Sequence, residues 1–322
     1  MSKNEPTVFV VDDDAAVRDA IARAAVTTFP VLFEGESGTG KELAARALHR
    51  LSGRGGRRLC AVNCAALTDE LAEAELFGYV RGAFTGAVLT RVGLFEEASG
   101  GTLLLDEVSE LSGRAQAKLL RVLQEREIRR IGENVPRTVD VRVVAATNRP
   151  IADEVSRGRF REDLMFRMAV IRIRLPPLRE RIEDLPMLAQ ARWPRVLAEV
   201  EKQAVLGDDA LAALARHSWP GNVRELQNVL AGLALAAPAH GRVTARQVAQ
   251  LIGQGEVTIP PRALSLDVAR RHFERQVVTG ALMRHPDSRS AAALELGLTR
   301  QGLAKAMRRL GVAEEGDGIS AA

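Results

Sequence analysis

The sequence predicts an α/β fold with a parallel sheet, followed by a helical subdomain and then by an all-α unit. Three observations predict this organisation. Short apolar runs at 31–33, 101–105 and 139–146 have the length and composition of strands that are buried on both faces of a parallel sheet. A glycine-rich segment at 35–40 joins the first run to a helical pattern. From 179 to 251 the pattern is helical, without strand signals.

Composition and cysteine usage restrict the class of protein. The 322 residues are enough for two or three domains, and 46% apolar content can fill a sizeable core. There is no run of about 18 apolar residues and no signal segment after Met1, so we expect a soluble, cytoplasmic protein without a membrane partner. Cys60 and Cys64 are the only cysteines, without a zinc-binding cluster. We expect buried free thiols in a reducing compartment.

Positive charge is concentrated near the C-terminal end. Residues 262–313 contain ten lysines and arginines against four acids, a balance of +6. The whole chain carries +4, so the remainder carries −2. This asymmetry predicts that nucleic acid binds to the C-terminal unit and not to the α/β part.

The N-terminal segment 1–14 resembles the start of a receiver domain, because an apolar run at 8–11 precedes three aspartates. Such a domain needs on the order of 100 residues, and the glycine-rich loop already begins at 35. We therefore expect a short segment, followed by a helix at 15–25 with Val17, Ile21 and Ala24 on one face.

The glycine-rich loop has the context of a phosphate-binding loop. Strand, loop and helix follow one another, so backbone N–H groups and the helix N-terminus would face phosphate oxygens. The predicted nucleotide-binding residues are Gly35, Glu36, Ser37, Gly38, Thr39, Gly40, Lys41 and Glu42. Glu42 stands where serine or threonine usually holds the metal, so Mg²⁺ would depend more on water and on carboxylates elsewhere. A plain turn between strand and helix is the simpler interpretation, and the context favours a nucleotide.

A second glycine-rich segment follows a predicted strand at 59–63. Its residues are Gly82, Ala83, Phe84, Thr85, Gly86 and Ala87. Two glycines and two alanines around one aromatic residue form a segment that can flex. An ordinary loop with a buried Phe84 and a mobile loop that presents Phe84 to a partner are both compatible with this composition.

Polar residues follow two predicted strands. Asp106 and Glu107 end the strand at 101–105, where carboxylates would lie beside the phosphate loop. Asp106 would hold Mg²⁺ through water, and Glu107 would polarise the attacking water. Thr147 and Asn148 end the strand at 139–146, where they would touch a γ-phosphate or cap the next turn.

Helical patterns occupy 115–126 and 160–168, and 128–135 resembles a hairpin with its turn at 132–134. Arg161 and Arg167 lie in the second helical pattern, six residues apart, so they do not share a helix face.

Prolines at 176 and 177 break the preceding pattern. We place the α/β core at 15–175 and the helical subdomain at 176–252. A turn at 219–222 leads into a helix at 223–235. Arg224 falls in its first turn, an unfavourable position for a cation relative to the helix dipole, which points to a phosphate ligand. We place a linker at 253–265.

The C-terminal unit at 266–313 has a predicted helix at 267–282, then helices at 290–296 and 300–310, which form a helix-turn-helix pattern. The residues available for DNA are Thr299, Arg300, Gln301, Lys305, Arg308 and Arg309. A basic bundle without a role in nucleic-acid binding is the alternative. The tail at 314–322 is expected to be disordered.

Together these motifs resemble one family, the bacterial enhancer-binding AAA+ activators of sigma-54 RNA polymerase, from about residue 17 to 310. The most specific element is the GAFTGA sequence at 82–87, which in the family contacts sigma-54 and moves with the nucleotide state. The phosphate loop ending in Lys-Glu is the family's usual form. The resemblance implies an AAA+ ATPase that uses ATP and Mg²⁺, forms a homo-oligomeric ring of six subunits, binds upstream DNA through a Fis-type helix-turn-helix and acts on the sigma-54 RNA polymerase holoenzyme.

The resemblance also implies roles for single residues. Asn63 would switch Glu107 between idle and active positions, and Thr147 and Asn148 would form sensor I. Arg161 and Arg167 would be arginine fingers that reach the neighbouring subunit's nucleotide, and Arg224 would be sensor II. The hairpin near 130–137 would be a second loop that supports GAFTGA.

This chain departs from the family's pattern in two ways. Tyr79 and Val80 replace the His-Glu pair often seen before the GAFTGA loop. We also expect the family's usual N-terminal sensory domain to be absent, and some family members without one are held in check by a separate inhibitor protein, so the resemblance admits such a partner. The competing function is that of a DNA-binding AAA+ repressor or loader that hydrolyses ATP without acting on sigma-54. The intact GAFTGA sequence argues against it.

Overall fold

A computed structural model describes residues 15–254, 278, 281–282, 285 and 288–310. The chain divides into two units, 1–255 and 256–322. The predictions for the segment 1–14, for most of the helix at 267–282 and for the tail at 314–322 lie outside the described residues.

The first unit contains a five-stranded parallel sheet. Its strands are β1 (Val31–Glu34), β2 (Leu59–Asn63), β5 (Thr102–Asp106), β8 (Arg142–Thr147) and β9 (Ile171–Arg174). Their order in the sheet is β2-β5-β8-β1-β9. Five helices of the core are α1 (Ala15–Ala25), α2 (Lys41–Leu51), α3 (Asp69–Phe77), α5 (Gly113–Glu125) and α7 (Glu162–Met168). Two short ones are α4 (Leu94–Glu97) and α6 (Ile151–Ser156). The predicted α/β fold with a parallel sheet is confirmed.

Apolar side chains cover both faces of this sheet. One cluster joins the sheet to α1 and α2 through residues such as Val17 and Leu48, and the other joins it to α5 and α7 through Leu119 and Leu164. Burial on both faces explains why the central strands are uninterrupted apolar runs. Parallel strands end at one edge, so the loops after β1, β5 and β8 meet there.

Some predicted bounds shift. The strand predicted at 139–146 begins at Arg142, and α7 begins at Glu162, which leaves Arg161 just before the helix. The hairpin predicted at 128–135 is wider than expected. Its strands, β6 (Glu127–Ile128) and β7 (Arg137–Thr138), pair antiparallel around a longer loop. A second small ladder, β3 (Gly78–Tyr79) with β4 (Arg91–Val92), closes the base of the 82–87 loop.

The helical subdomain follows β9. Its helices are α8 (Leu185–Glu199), α9 (Asp208–Ala215), α10 (Asn222–Ala236) and α11 (Ala245–Gln254). The expectation that it lacks strands is wrong, because β10 (Gln203–Leu206) and β11 (His240–Val243) pair in parallel. Each strand has only four residues, and β11 is largely exposed, so neither has a periodic apolar pattern. Helix α11 continues to Gln254, so its last two residues overlap the expected linker.

In the described part of the second unit, two helices follow each other, α12 (Arg289–Glu295) and α13 (Arg300–Leu310). They pack through small and apolar side chains, among them Ala292, Leu303 and Met307. Both predicted helices are therefore present. In the described ranges of the chain, no helix is both long and apolar enough to cross a membrane.

Candidate functional site

The loop between β1 and α2 has the shape of a phosphate cradle. Gly38 and Gly40 have φ values of 80° and 101°, in the left-handed region that favours glycine. A Cβ on Gly35 would lie 2.6 Å from the Leu175 carbonyl oxygen, so only glycine fits there. The Thr39 hydroxyl is buried and donates to the Glu36 carbonyl at 2.9 Å, which closes the loop on itself.

Lys41 points into this loop. Its ammonium donates to the carbonyl oxygens of Gly35 at 2.8 Å and Glu36 at 3.1 Å, and it lies 3.9 Å from the Glu107 carboxylate. Burial lowers the pKa of Lys41, and the charges of Glu107 and Asp106 oppose that shift. The cation is thus held inside the cradle by groups that an anionic phosphate can replace.

The two predicted acids lie in the same cleft as Lys41. The cleft has a volume of about 240 Å³, and its lining includes Lys41, Glu42, Asp106, Glu107 and Arg224. Burial raises the pKa of Asp106, while the nearby Lys41 lowers it. Glu107 has a φ of 51°, and its carboxylate accepts the backbone N–H of Asn148 at 2.9 Å. Cation and acids therefore meet at the sheet edge, as the sequence predicts.

Asn63 contacts a different acid from the one expected. Its amide donates to the Asp106 carboxylate at 3.4 Å, and its side-chain oxygen accepts the N–H of Ala65 at 2.9 Å. The cause is strand register, because β2 and β5 pair Asn63 directly with Asp106. In this structure the Glu107 carboxylate is held by Asn148 instead.

The last residue of β8, Thr147, and the residue that follows it, Asn148, have different contacts. Thr147 is fully buried, and its hydroxyl is 2.9 Å from the Ser109 hydroxyl, so it joins β8 to the turn after β5. Asn148 is exposed and supplies its backbone N–H to Glu107. Asn148 thus contacts Glu107 in the cleft, whereas the Thr147 carbonyl accepts the Gly35 N–H of the phosphate loop at 3.2 Å.

Arg161 and Arg167 are both exposed, and neither lines the cleft of its own chain. The Arg161 guanidinium pairs with Asp163 at 2.7 Å, an ion pair that raises the pKa of Arg161. Arg167 lies in the last turn of α7, next to Phe166, which is 65% exposed. The structure does not bring these arginines together with Lys41.

The N-terminus of α10 lies against the phosphate loop. The Arg224 guanidinium donates to the Ser37 hydroxyl at 3.0 Å, and the Val223 N–H donates to the Gly38 carbonyl at 3.0 Å. A Cβ on Gly38 would lie 2.3 Å from the Gly221 carbonyl oxygen. The helical subdomain therefore contacts the backbone of the phosphate loop directly. Arg224 lies beside that loop, where it would contact a bound phosphate.

Sequence reasoning missed three residues that clamp this loop. The Glu36 carboxylate accepts two hydrogen bonds from Arg179, at 2.7 and 2.6 Å, which lower the pKa of Glu36 to about 2. Arg181 is buried and donates to the Thr39 carbonyl at 3.1 Å. Asn222 donates to the Ser37 carbonyl at 3.0 Å. Because Glu36 stays ionised above its lowered pKa, the clamp persists at neutral pH.

Asn222 is the centre of this clamp. It is fully buried with a φ of 54°, its amide reaches both Glu36 and Ser37, and its side-chain oxygen accepts the Leu178 N–H at 2.8 Å. We expect Asn222→Ala to lower the free energy of unfolding by at least about 2 kcal/mol, since it leaves the buried Leu178 N–H unpaired and puts alanine in a left-handed conformation. Thermal and urea unfolding without nucleotide measure this loss.

The control is Asn228→Ala, an exposed asparagine on the same helix, for which we expect a change within about 0.5 kcal/mol. Equal losses in the two variants would contradict the clamp.

The 82–87 loop lies between β3 and β4 and is folded on itself. Gly82 N–H donates to the Ala87 carbonyl at 2.9 Å, and Ala87 N–H donates to the Phe84 carbonyl at 3.0 Å. Ala87 is buried, whereas Phe84 is 47% exposed. Of the two interpretations that composition left open, a buried Phe84 is excluded.

The two cysteines are free and buried, as expected, and burial raises the pKa of the Cys64 thiol to about 12. In the second unit, the Thr299 hydroxyl accepts the Gly302 N–H at 3.1 Å and caps α13. Gln301, Lys305 and Arg309 are exposed on that helix. The side chains of Arg300 and Arg308 lie outside the described residues.

Comparison with known families assigns both parts of the first unit. Residues 11–174 match the sigma-54 interaction domain, and residues 179–262 match the AAA+ ATPase lid domain. The chain is 45% identical over 303 residues to the hydrogenase transcriptional regulatory protein HoxA of Bradyrhizobium diazoefficiens, covering 91% of this chain and 62% of that protein. It is 43% identical over 305 residues to the transcriptional regulatory protein ZraR of Klebsiella oxytoca, covering 93% and 68%.

The fold of this chain is also similar to that of solved protein structures. NtrX from Brucella abortus in complex with ATP is 33% identical with a TM-score of 0.69, and the match covers 97% of this chain and 70% of that one. Its complex with ADP gives 34% identity and a TM-score of 0.68, with 92% and 68% covered. The chain thus spans about two thirds of the length of these relatives.

Proposed function

Because this chain belongs to the sigma-54 interaction domain family of AAA+ proteins, we propose that it is an ATP-hydrolysing transcriptional activator. It would bind upstream DNA and remodel closed complexes of the sigma-54 RNA polymerase holoenzyme into open complexes. One observation carries the proposal: the same unit holds a phosphate cradle with paired acids and an exposed, complete GAFTGA loop. A regulator that does not act on sigma-54 would not need the GAFTGA loop.

The residues present fit ATP and Mg²⁺. Gly38 and Gly40 take the left-handed backbone conformation of the loop, and Lys41 already donates to oxygen atoms inside the cradle. Lys41 would hold the β- and γ-phosphates, and Arg224 would hold the γ-phosphate from the lid. Asp106 would hold the metal through water. Bound Mg²⁺ would supply positive charge beside the phosphates.

Glu107 would take the proton of the attacking water, since its carboxylate faces the cleft and is fixed by the Asn148 N–H. Asn63 would then act on this reaction through Asp106 in the arrangement described above, and through Glu107 only after a side-chain rearrangement.

The arginines of α7 support a site shared between subunits. Arg161 and Arg167 are exposed and lie outside their own chain's cleft, so a second copy can approach both of them. Arg161 would exchange its ion pair with Asp163 for a phosphate of that copy's nucleotide. In that arrangement each subunit supplies Lys41 and Glu107, and its neighbour supplies the arginines. A closed homo-oligomeric ring, a hexamer as the family resemblance implies, completes every site. Hydrolysis would then require assembly.

The C-terminal helices α12 and α13 would bind double-stranded DNA as a Fis-type helix-turn-helix. Support comes from the +6 charge of 262–313 and from the exposed polar residues Gln301, Lys305 and Arg309 of α13. Binding upstream sites would raise the local concentration of the ring at the promoter. A cytoplasmic location and regulation by a separate inhibitor protein belong to the same proposal.

We expect the double variant Arg308→Ala with Arg309→Ala to bind a random-sequence DNA duplex more weakly and with a flatter salt dependence. Each lost phosphate contact lowers the slope of log K against log[salt] by about 0.9, so two contacts give about 1.8. Fluorescence anisotropy over a salt series measures the slope. A lid variant with the same loss of charge, Arg242→Ala with Arg246→Ala, should keep the original slope, and an unchanged slope in the first variant would contradict the assignment.

The proposed function is tested by open-complex formation at a sigma-54 promoter with the purified full chain, sigma-54 holoenzyme and ATP. We expect promoter opening that requires hydrolysis, so a non-hydrolysable analogue should not support it. ATP turnover without opening would favour the repressor or loader class.

A further inference from the structure

Tyr79, the first residue of the pair that departs from the family's pattern, lies at the base of the GAFTGA loop. Its strand β3 pairs with β4, where Tyr79 lies opposite Arg91. On the other side, Ile131 of the second loop donates its N–H to the Gly78 carbonyl at 2.9 Å and accepts the Val80 N–H at 3.0 Å. The backbone of Tyr79 is therefore held from both sides.

Phe84 lies between two glycines, whose backbone can adopt several conformations. Gly82 and Gly86 have φ values of 82° and 101°, and a Cβ on either would meet open space. These two glycines serve backbone conformation and not close packing, so the backbone at 82 and 86 can change conformation without a steric clash at either position.

The two aromatic rings touch. Their centroids are 5.0 Å apart with an interplanar angle of 63°, an edge-to-face arrangement within the favourable range for aromatic pairs. Tyr79 lies on a strand whose backbone is hydrogen-bonded on both sides, whereas Phe84 lies in a turn between two glycines. We therefore expect Tyr79 to restrain Phe84 and not the reverse.

We propose that Tyr79 is a positioning residue that holds Phe84 against the loop base and thereby sets the fraction of loops whose Phe84 is available to sigma-54. The inference rests on the proposed function for its partner and on the ring contact for its mechanism. Breaking an aromatic pair of this kind shifts a two-state population by about two- to tenfold.

The ring contact is tested without any partner by hydrogen exchange of the full chain, read at the amides of residues 82–87. We expect Tyr79→Ala to accelerate exchange there by about two- to tenfold, and Tyr79→Phe to restore the wild-type rate because the ring is kept. In a protein that already carries Phe84→Leu, Tyr79→Ala should not accelerate this exchange further. An equal acceleration in that background would mean a loosened loop base and would overturn the proposal.

The second measurement is the affinity of the ADP-bound protein for purified sigma-54. Tyr79→Ala should bind about two- to tenfold more tightly than the wild type and Tyr79→Phe equally well. Faster exchange without tighter binding would overturn the control of availability. If neither variant nor wild type binds sigma-54 in any nucleotide state while exchange responds as expected, the proposed function fails and the ring contact stands.

Discussion

Thr85→Ala is expected to keep ATP turnover within about twofold of the wild type while open-complex formation falls by at least about tenfold. Thr85 is exposed in the GAFTGA loop, and the cleft that holds Lys41 and Glu107 does not include it. Its hydroxyl can therefore contribute to partner contact without contributing to hydrolysis. Phosphate release and promoter opening, measured on the same preparation, separate the two activities.

The matched control is Thr138→Ala, an exposed threonine on β7 of the neighbouring hairpin. It should retain both activities, because it lies outside the 82–87 loop. Loss of turnover and opening to the same extent in Thr85→Ala would contradict the proposed division between the cleft and the loop.

Lys41→Met is expected to weaken nucleotide binding by at least about 100-fold. The variant keeps most of the buried stem and removes the ammonium, whose hydrogen bonds to charged phosphate oxygens would each contribute about 1.5–3 kcal/mol. Titration with a fluorescent ATP analogue measures the affinity. The nucleotide-induced rise in Tm gives a second readout that does not depend on the stability of the empty protein.

Arg50→Met is the control for this variant, because Arg50 is an exposed cation at the far end of the same helix. It should bind nucleotide within about twofold of the wild type. Normal affinity in Lys41→Met would exclude the loop between β1 and α2 as the phosphate site.

Local sequence was sufficient wherever a feature is made of contiguous residues. The phosphate loop needs a strand, glycines at positive φ and a helix start, and all of these lie within 31–51. Asp106 and Glu107 were placed correctly because every parallel strand brings its C-terminal end to the same edge. The GAFTGA loop was recognisable as six consecutive residues.

Tertiary structure decided the contacts that join distant parts of the chain. Arg179 and Asn222 clamp Glu36 across 143 and 186 residues, and no local periodicity encodes such a pair. Asn63 contacts Asp106 because of strand register, which depends on the whole sheet. The strands β10 and β11 are individually too short to show a pattern.

Tyr79 shows the same division within a few residues. The sequence alone identified its position as a departure from the family, without indicating a consequence. The contact of its ring with Phe84 exists because β4 and Ile131 fix the Tyr79 backbone while the glycines fold the loop back towards it. The sequence by itself determined which chemical groups this protein carries and the order of its elements. Only the folded chain decided which groups touch, because side-chain contacts depend on packing between elements that local propensities do not specify.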